Sequence, residues 1–156
     1  MSDQHQENPR GVIPYLTVSS ARKAIDFYKQ AFGGEEVRRM PAPDGRVMHA
    51  QVRINGGMLY LSDDFPEMAG GKSRTPEAIG GCPATLHINV DDTDAVVERA
   101  RRAGAKVIAE PADMFWGDRF AKITDPMGYS WSITAPLKQP MSEEAKRAQM
   151  AAFGQG

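Results

Sequence analysis

Two histidines stand in segments whose side chains alternate in character. Successive residues of a strand point to opposite faces, so each segment divides into two rows. Thr85, His87 and Asn89 oppose Leu86, Ile88 and Val90, while His49, Gln51 and Arg53 oppose Met48, Ala50, Val52 and Ile54. Tyr60 and Ser62 oppose Leu59 and Leu61, Ser132 and Thr134 oppose Trp131 and Ile133, and Ile13, Tyr15 and Thr17 oppose Leu16 and Val18. Imidazole titrates near neutrality, so His49 and His87 are the candidates for proton transfer, with Tyr60 or Arg53 placed to steady a developing oxyanion. Tyr15, Thr17, Gln51, Arg53, Thr85, Asn89 and Ser132 are candidate ligand contacts on the same polar rows.

A half-solvated antiparallel sheet carrying structural histidines gives the same alternation with no function. Composition argues the other way. A solvated face is normally rich in Lys and Glu, whereas these rows hold mostly hydroxyls, amides, imidazoles and aromatics, with Arg53 the charged exception. The segment Met114-Phe115-Trp116-Gly117-Asp118-Arg119 adds two adjacent aromatics beside an acid-base pair. One reading is a core plug with the Asp118-Arg119 pair bracing a turn. The other makes Phe115 and Trp116 an apolar lip over a ligand cup, since large flat side chains bury much ligand surface. No nucleophile with its base stands out, and Cys82 in Gly-Gly-Cys-Pro has no evident cation to activate it.

The elements that must position these residues repeat. A strand Val12 to Val18 leads through candidate caps Ser19 and Ser20 into a helix whose Ala21, Ala24, Ile25, Tyr28 and Phe32 share one apolar face, and Gly33-Gly34 ends it. A strand from Glu36, the turn Pro43-Asp44-Gly45, the strand Val47 to Ile54, the turn Asn55-Gly56-Gly57 and the strand Met58 to Ser62 follow. After the Gly- and Pro-rich stretch Asp63 to Pro83, the order recurs. Strand Ala84 to Val90, caps at Asp91 to Asp94, a helix with Val96, Val97 and Ala100 inward, Gly104 and three more strands separated by the 114–118 loop and the turn Asp125-Pro126-Met127-Gly128 complete a second βαβββ unit. The pattern predicts an α+β domain over 11–136, with modules 11–64 and 84–136 and a linker 65–83. A polar arm, 1–10, precedes it. A tail, 137–156, follows, in which Ser142 caps a last helix with Glu143 and Glu144 in its first turn. Met150 and Phe153 suit that helix to packing on the body or on a second subunit, and a loosely ordered terminus is the alternative.

In 156 residues, 19 Lys and Arg against 20 Asp and Glu leave a net charge of −1 and no footprint for nucleic acid or an anionic membrane. A single cysteine, a polar N-terminus without an apolar core, and no run near the roughly 20 residues that span a bilayer point to the cytoplasm and away from a membrane.

The strings Tyr15-Leu16-Thr17-Val18, Ala24-Ile25-Asp26-Phe27-Tyr28, Phe32-Gly33 and Thr124-Asp125-Pro126-Met127-Gly128-Tyr129, set in this repeat, resemble the vicinal oxygen chelate superfamily of glyoxalases, bleomycin-resistance proteins and dioxygenases. His49-Ala50-Gln51-Val52-Arg53-Ile54 and Phe115-Trp116-Gly117-Asp118-Arg119 look closest to its PhnB-like branch, and the resemblance spans about residues 11 to 136. It implies two modules cupping a small-molecule site and a homodimer, with module pairing left open within or between chains. It also implies one metal ligand from each of four strands, at positions that fall here on Ile13, Tyr60, Thr85 and Ser132. Isoleucine cannot ligate, and neutral hydroxyls are poor ligands for zinc, nickel or iron(II). A register shift would admit His87, and His49 is a second substitute, which still leaves two of four missing.

The expectation is therefore a small-molecule-binding protein with no metal and no cofactor, acting by sequestration or by metal-independent acid-base catalysis. If an enzyme, it is of glyoxalase-like lyase or isomerase type. The alternative is a divalent-metal lyase, isomerase or dioxygenase with a shifted site. A purely structural partner protein would need apolar surface that the sequence does not display.

Overall fold

The computed structural model describes residues 8–155, so most of the expected N-terminal arm lies outside the described residues. The first module is β1 (Tyr15–Val18), α1 (Ala21–Phe32), β2 (Glu35–Pro41), β3 (Val47–Ile54) and β4 (Gly57–Asp63). The second is β5 (Thr85–Asn89), α3 (Thr93–Arg102), β6 (Lys106–Asp113), β7 (Asp118–Thr124) and β8 (Ser130–Pro136), and α4 (Glu143–Ala152) follows. Each module is a four-stranded mixed sheet, in the orders β1-β4-β3-β2 and β5-β8-β7-β6, with one parallel pair at the end where the first strand lies.

The helices form where capping and periodicity put them. Ser20 accepts from the Lys23 amide, Asp92 from Ala95 and Ser142 from Ala145, each satisfying a donor that the first helical turn leaves open. Gly33 closes α1 in the left-handed conformation. The five residues expected on the inner face of α1 are buried, with Phe27 and Ala31. Both apolar sheet faces and both helices feed one continuous core.

Several expectations shift. The first strand begins at Tyr15, because Gly11 has φ 94° and Pro14 offers no amide hydrogen, so Val12 is wholly exposed. Met48 is exposed, since the pairs Met40 with His49 and Pro41 with Val47 leave it as a bulge residue. That bulge reverses the parity and buries Val47 instead. The linker between the modules carries short elements of its own. It holds a 3-10 turn, Pro66–Met68, and a one-turn helix α2, Pro76–Ile79, capped by Thr75.

Helix α2 explains one glycine. Gly128 ends the Asp125-Pro126-Met127-Gly128 turn at φ 92°, and a Cβ there would lie 2.8 Å from Cβ of Pro76. Gly128→Ala is expected to cost about 1–3 kcal/mol in urea unfolding through strain and overpacking. Gly117→Ala, at φ 104° with nothing nearby, isolates the backbone part of that cost, and an equal loss in both variants would show that Pro76 contributes nothing.

The modules meet through side chains rather than a strand ladder. Phe32 of α1 packs on Trp131 at 4.7 Å between ring centroids, Asn55 Nδ2 donates to the Asn89 carbonyl at 2.6 Å, and Tyr129 Oη donates to the Thr17 carbonyl at 2.8 Å. At the centre, Asp125 is buried and accepts from Tyr28 Oη at 2.8 Å, Trp131 Nε1 at 2.9 Å and the amides of Met127 and Tyr129. Burial raises its carboxyl pKa and the four donors pull it back.

Candidate functional site

The sheet faces away from the helices carry the polar rows. In the first module, strand register sets Tyr15 opposite Tyr60 and Tyr60 opposite Gln51, so three strands deliver one cluster. His49 joins it from β3. Its Nδ1 lies 2.7 Å from Tyr15 Oη and its Nε2 lies 3.1 Å from the Gln51 amide nitrogen, while its ring sits edge-on to Tyr60 at 4.9 Å. An amide nitrogen donates, so His49 Nε2 accepts and the ring proton belongs on Nδ1, donated to the Tyr15 oxygen. That arrangement leaves the Tyr15 hydroxyl hydrogen free to donate to a ligand. Burial, then the charge of Arg38, lowers the His49 pKa, which keeps the ring neutral at pH 7. Burial, then Tyr60, raises that of Tyr15, which keeps its proton in place.

The second module builds a parallel network from β5 and β8. His87 Nδ1 lies 2.7 Å from Ser132 Oγ, and its Nε2 lies 3.2 Å from Asn89 Oδ1. Thr134 Oγ1 donates to Asn89 Oδ1 at 2.9 Å. An amide oxygen only accepts, so the ring proton is on Nε2 and the Ser132 hydroxyl donates to Nδ1. A serine, an imidazole and an orienting amide thus stand in line, a pairing invisible until the parallel register sets His87 opposite Ser132. Among the described residues no hydrogen bond joins this network to the first.

The remaining candidates sort by environment. Gln51 is buried and serves His49, Arg53 is exposed and pairs with Glu35 at 3.1 Å, and Thr17 is half-buried with its carbonyl held by Tyr129. Thr85 is exposed beside Ser130. The aromatic pair is no core plug: Trp116 is 44% exposed, edge-on to Phe115, Phe120 and Phe153. Asp118 does not brace Arg119, which pairs instead with Asp113 at 2.9 Å and with Asp94 at the start of α3. Two carboxylates oriented toward one guanidinium outcompete a strand neighbour whose side chain points to the opposite face. Phe120 and Lys122 were readable on the polar face from strand parity and belong with it, since register sets Phe120 opposite Thr134 and Lys122 opposite Ser132.

The four positions implied for metal ligands do not fit a divalent ion. Ile13 precedes β1 and offers no donor, and Tyr60, Thr85 and Ser132 offer only neutral hydroxyls. Among the described residues no three of His, Cys, Asp or Glu gather in a group able to hold one. No described helix is long and apolar enough to cross a membrane.

Two βαβββ modules with polar sheet faces define a class, and the sequence comparison assigns it. Residues 12–133 match the family model of the Glyoxalase/Bleomycin resistance protein/Dioxygenase superfamily, and the chain belongs to that superfamily. A Mycobacterium bovis relative, described as uncharacterized protein Mb0911c, is 46% identical over 143 residues, covering 92% of this chain and 93% of its own. A lactoylglutathione lyase of Neisseria meningitidis is 28% identical over 119 residues, 73% of this chain and 81% of the relative. The PhnB protein from Bacillus cereus shares the fold with a TM-score of 0.59 at 18% identity, covering 81% of this chain and 99% of that one.

Proposed function

We propose that the protein binds a small polar molecule on these sheet faces without a divalent metal, either sequestering it or acting on it by acid-base chemistry. The observation that carries this reading is the pair of imidazoles on the polar faces, each held in one tautomer by neighbours on the same face, in a chain whose four implied metal positions lack suitable donors. A neutral His49 that donates through Nδ1 to the Tyr15 oxygen leaves the phenol free to donate to a ligand oxygen, and His49 itself becomes a base only when a ligand displaces the Gln51 amide from Nε2. The PhnB-like branch and a cytoplasmic setting belong to the same reading.

Chelation tests the metal-free part. Prolonged EDTA treatment is expected to leave the melting temperature and ligand response unchanged. A tightly held ion would add several kcal/mol to stability by linkage, so a clear fall in melting temperature restored by one metal overturns the reading in favour of a metal-dependent lyase, isomerase or dioxygenase.

The same reading makes the protein a homodimer. The two polar networks sit on separate sheets, and Tyr15, His87 and Thr85 are exposed in the single chain, so a second copy would complete a shared cup by setting one module's face against the partner's. Light scattering is expected to give twice 17.1 kDa at micromolar concentration. A mass of one chain sinks the shared cup.

A further inference from the structure

The C-terminal helix is tied to the 114–118 loop, which leads into β7 of the second polar face. Gln149 of α4 uses both ends of its amide, donating through Nε2 to the Asp113 carbonyl at 2.8 Å and accepting from the Phe115 amide. The Leu137 amide donates to the Gly117 carbonyl at 3.2 Å, so the tail holds the loop at three backbone groups. Anchoring brings Phe153 within 5.8 Å of the Phe115 ring and 6.5 Å of Trp116, both edge-on. Trp116 in turn meets Phe120 at 5.8 Å, and Phe120 lies on the polar face opposite Thr134. Four aromatics, with Phe153 65% exposed, therefore form a cluster at one end of the face that carries His87, Ser132 and Asn89.

A cation stands next to it. Lys122 is two residues along β7 from Phe120, about 7 Å away on the same face. It is opposite Ser132, which pairs with His87. Among the described residues Lys122 makes no ion pair, like Lys106 and Lys138 and unlike Arg119 on its own strand. Edge-to-face aromatics leave ring area open to a flat apolar group, and an unpaired ammonium one row away offers a partner to an anion attached to that group.

We propose that this end of the second module is a subsite for an aromatic carboxylate. The ring rests among Trp116, Phe120 and Phe153, the carboxylate meets Lys122 with the His87–Ser132 network beside it, and the C-terminal helix is a wall of the site. The proposal rests on the reading of the polar faces as ligand-binding and adds to it the ligand's charge and the tail's part.

Calorimetric titration of the full-length protein with 2-naphthoate and with uncharged 2-naphthamide tests it. The carboxylate is expected to bind about tenfold more tightly than the amide, and Lys122→Met to abolish that preference. Phe153→Ala is expected to weaken both ligands by about three- to tenfold while leaving the melting temperature unchanged, because that side chain is mostly exposed. Equal affinity for acid and amide, no binding of either, or indifference to both substitutions overturns the proposal. A ligand from a wider screen whose binding survives Phe153→Ala and Lys122→Met but is lost with His87→Ala and Tyr15→Phe would overturn the subsite while leaving the polar faces as the ligand site. Loss of every ligand response would remove both.

Discussion

Asp125→Ala is expected to lower the free energy of unfolding by about 4 kcal/mol, because it strands several buried donors at once. Tyr28 Oη and Trp131 Nε1 both end on Asp125 Oδ2, and the amides of Met127 and Tyr129 end on Oδ1. Tyr28 is fully buried and Trp131 nearly so, leaving no water to replace the lost acceptor. The two side-chain donors come from different modules, so the loss reaches the seam between them. Urea unfolding followed by tryptophan fluorescence measures it, since Trp131 is one of only two tryptophans. Asp125→Asn keeps the volume and one acceptor oxygen and is expected to fall between wild type and alanine. Tyr28→Phe removes one donor with the acceptor otherwise satisfied and should cost about 1 kcal/mol. A loss below about 1 kcal/mol for Asp125→Ala would show that these hydrogen bonds rearrange at little cost and do not hold the modules together.

Trp116→Ala is expected to weaken ligand binding by about 1–3 kcal/mol, the scale of losing an aromatic contact's apolar area. Folding stability should change much less, because nearly half of the side chain already faces solvent and its partners are edge contacts on the loop, the tail and Phe120 of β7. Trp116→Phe should remove most of the ligand-induced fluorescence change while retaining affinity, with buried Trp131 supplying a constant background. The measurement is a titration with any ligand that a fluorescence screen returns, paired with thermal unfolding of the free protein. If Trp116→Ala instead costs about 3–5 kcal/mol of stability, the ring is a packed structural element and the lip assignment fails.

Much of the scaffold was legible because local physics repeats twice along the chain. Cap residues, a 3.6-residue apolar face closed by glycine, and alternating strands bounded by glycine-containing turns gave the order of elements within a few residues in both halves. Strand parity also assigned His49, Gln51, Tyr60, His87, Asn89 and Ser132 to polar faces, and Trp131 to the core. Those are consequences of side-chain direction, which is fixed by the strand itself.

Other features depend on which strands become neighbours. A bulge at Met48 reverses parity locally, and no composition signal marks where a ladder slips by one residue. The Ser132–His87–Asn89 line exists only because β5 pairs with β8 in one register, although 45 residues separate His87 from Ser132. Arg119 has a tempting neighbour in Asp118 and bonds instead to carboxylates from α3 and β6.

By itself, then, the sequence determined the two βαβββ modules and their inner and outer faces, because each is a property of residue type and local periodicity. Only the tertiary structure decided how residues distant in the chain meet. It placed Asp125 under Tyr28 and Trp131, fixed the tautomers of the two histidines through their neighbours, and laid the tail against the aromatic loop so that Phe153 meets Phe115 and Trp116. Those contacts are set by strand register and by the packing of α1 against the second module, and short-range preference carries no information about either.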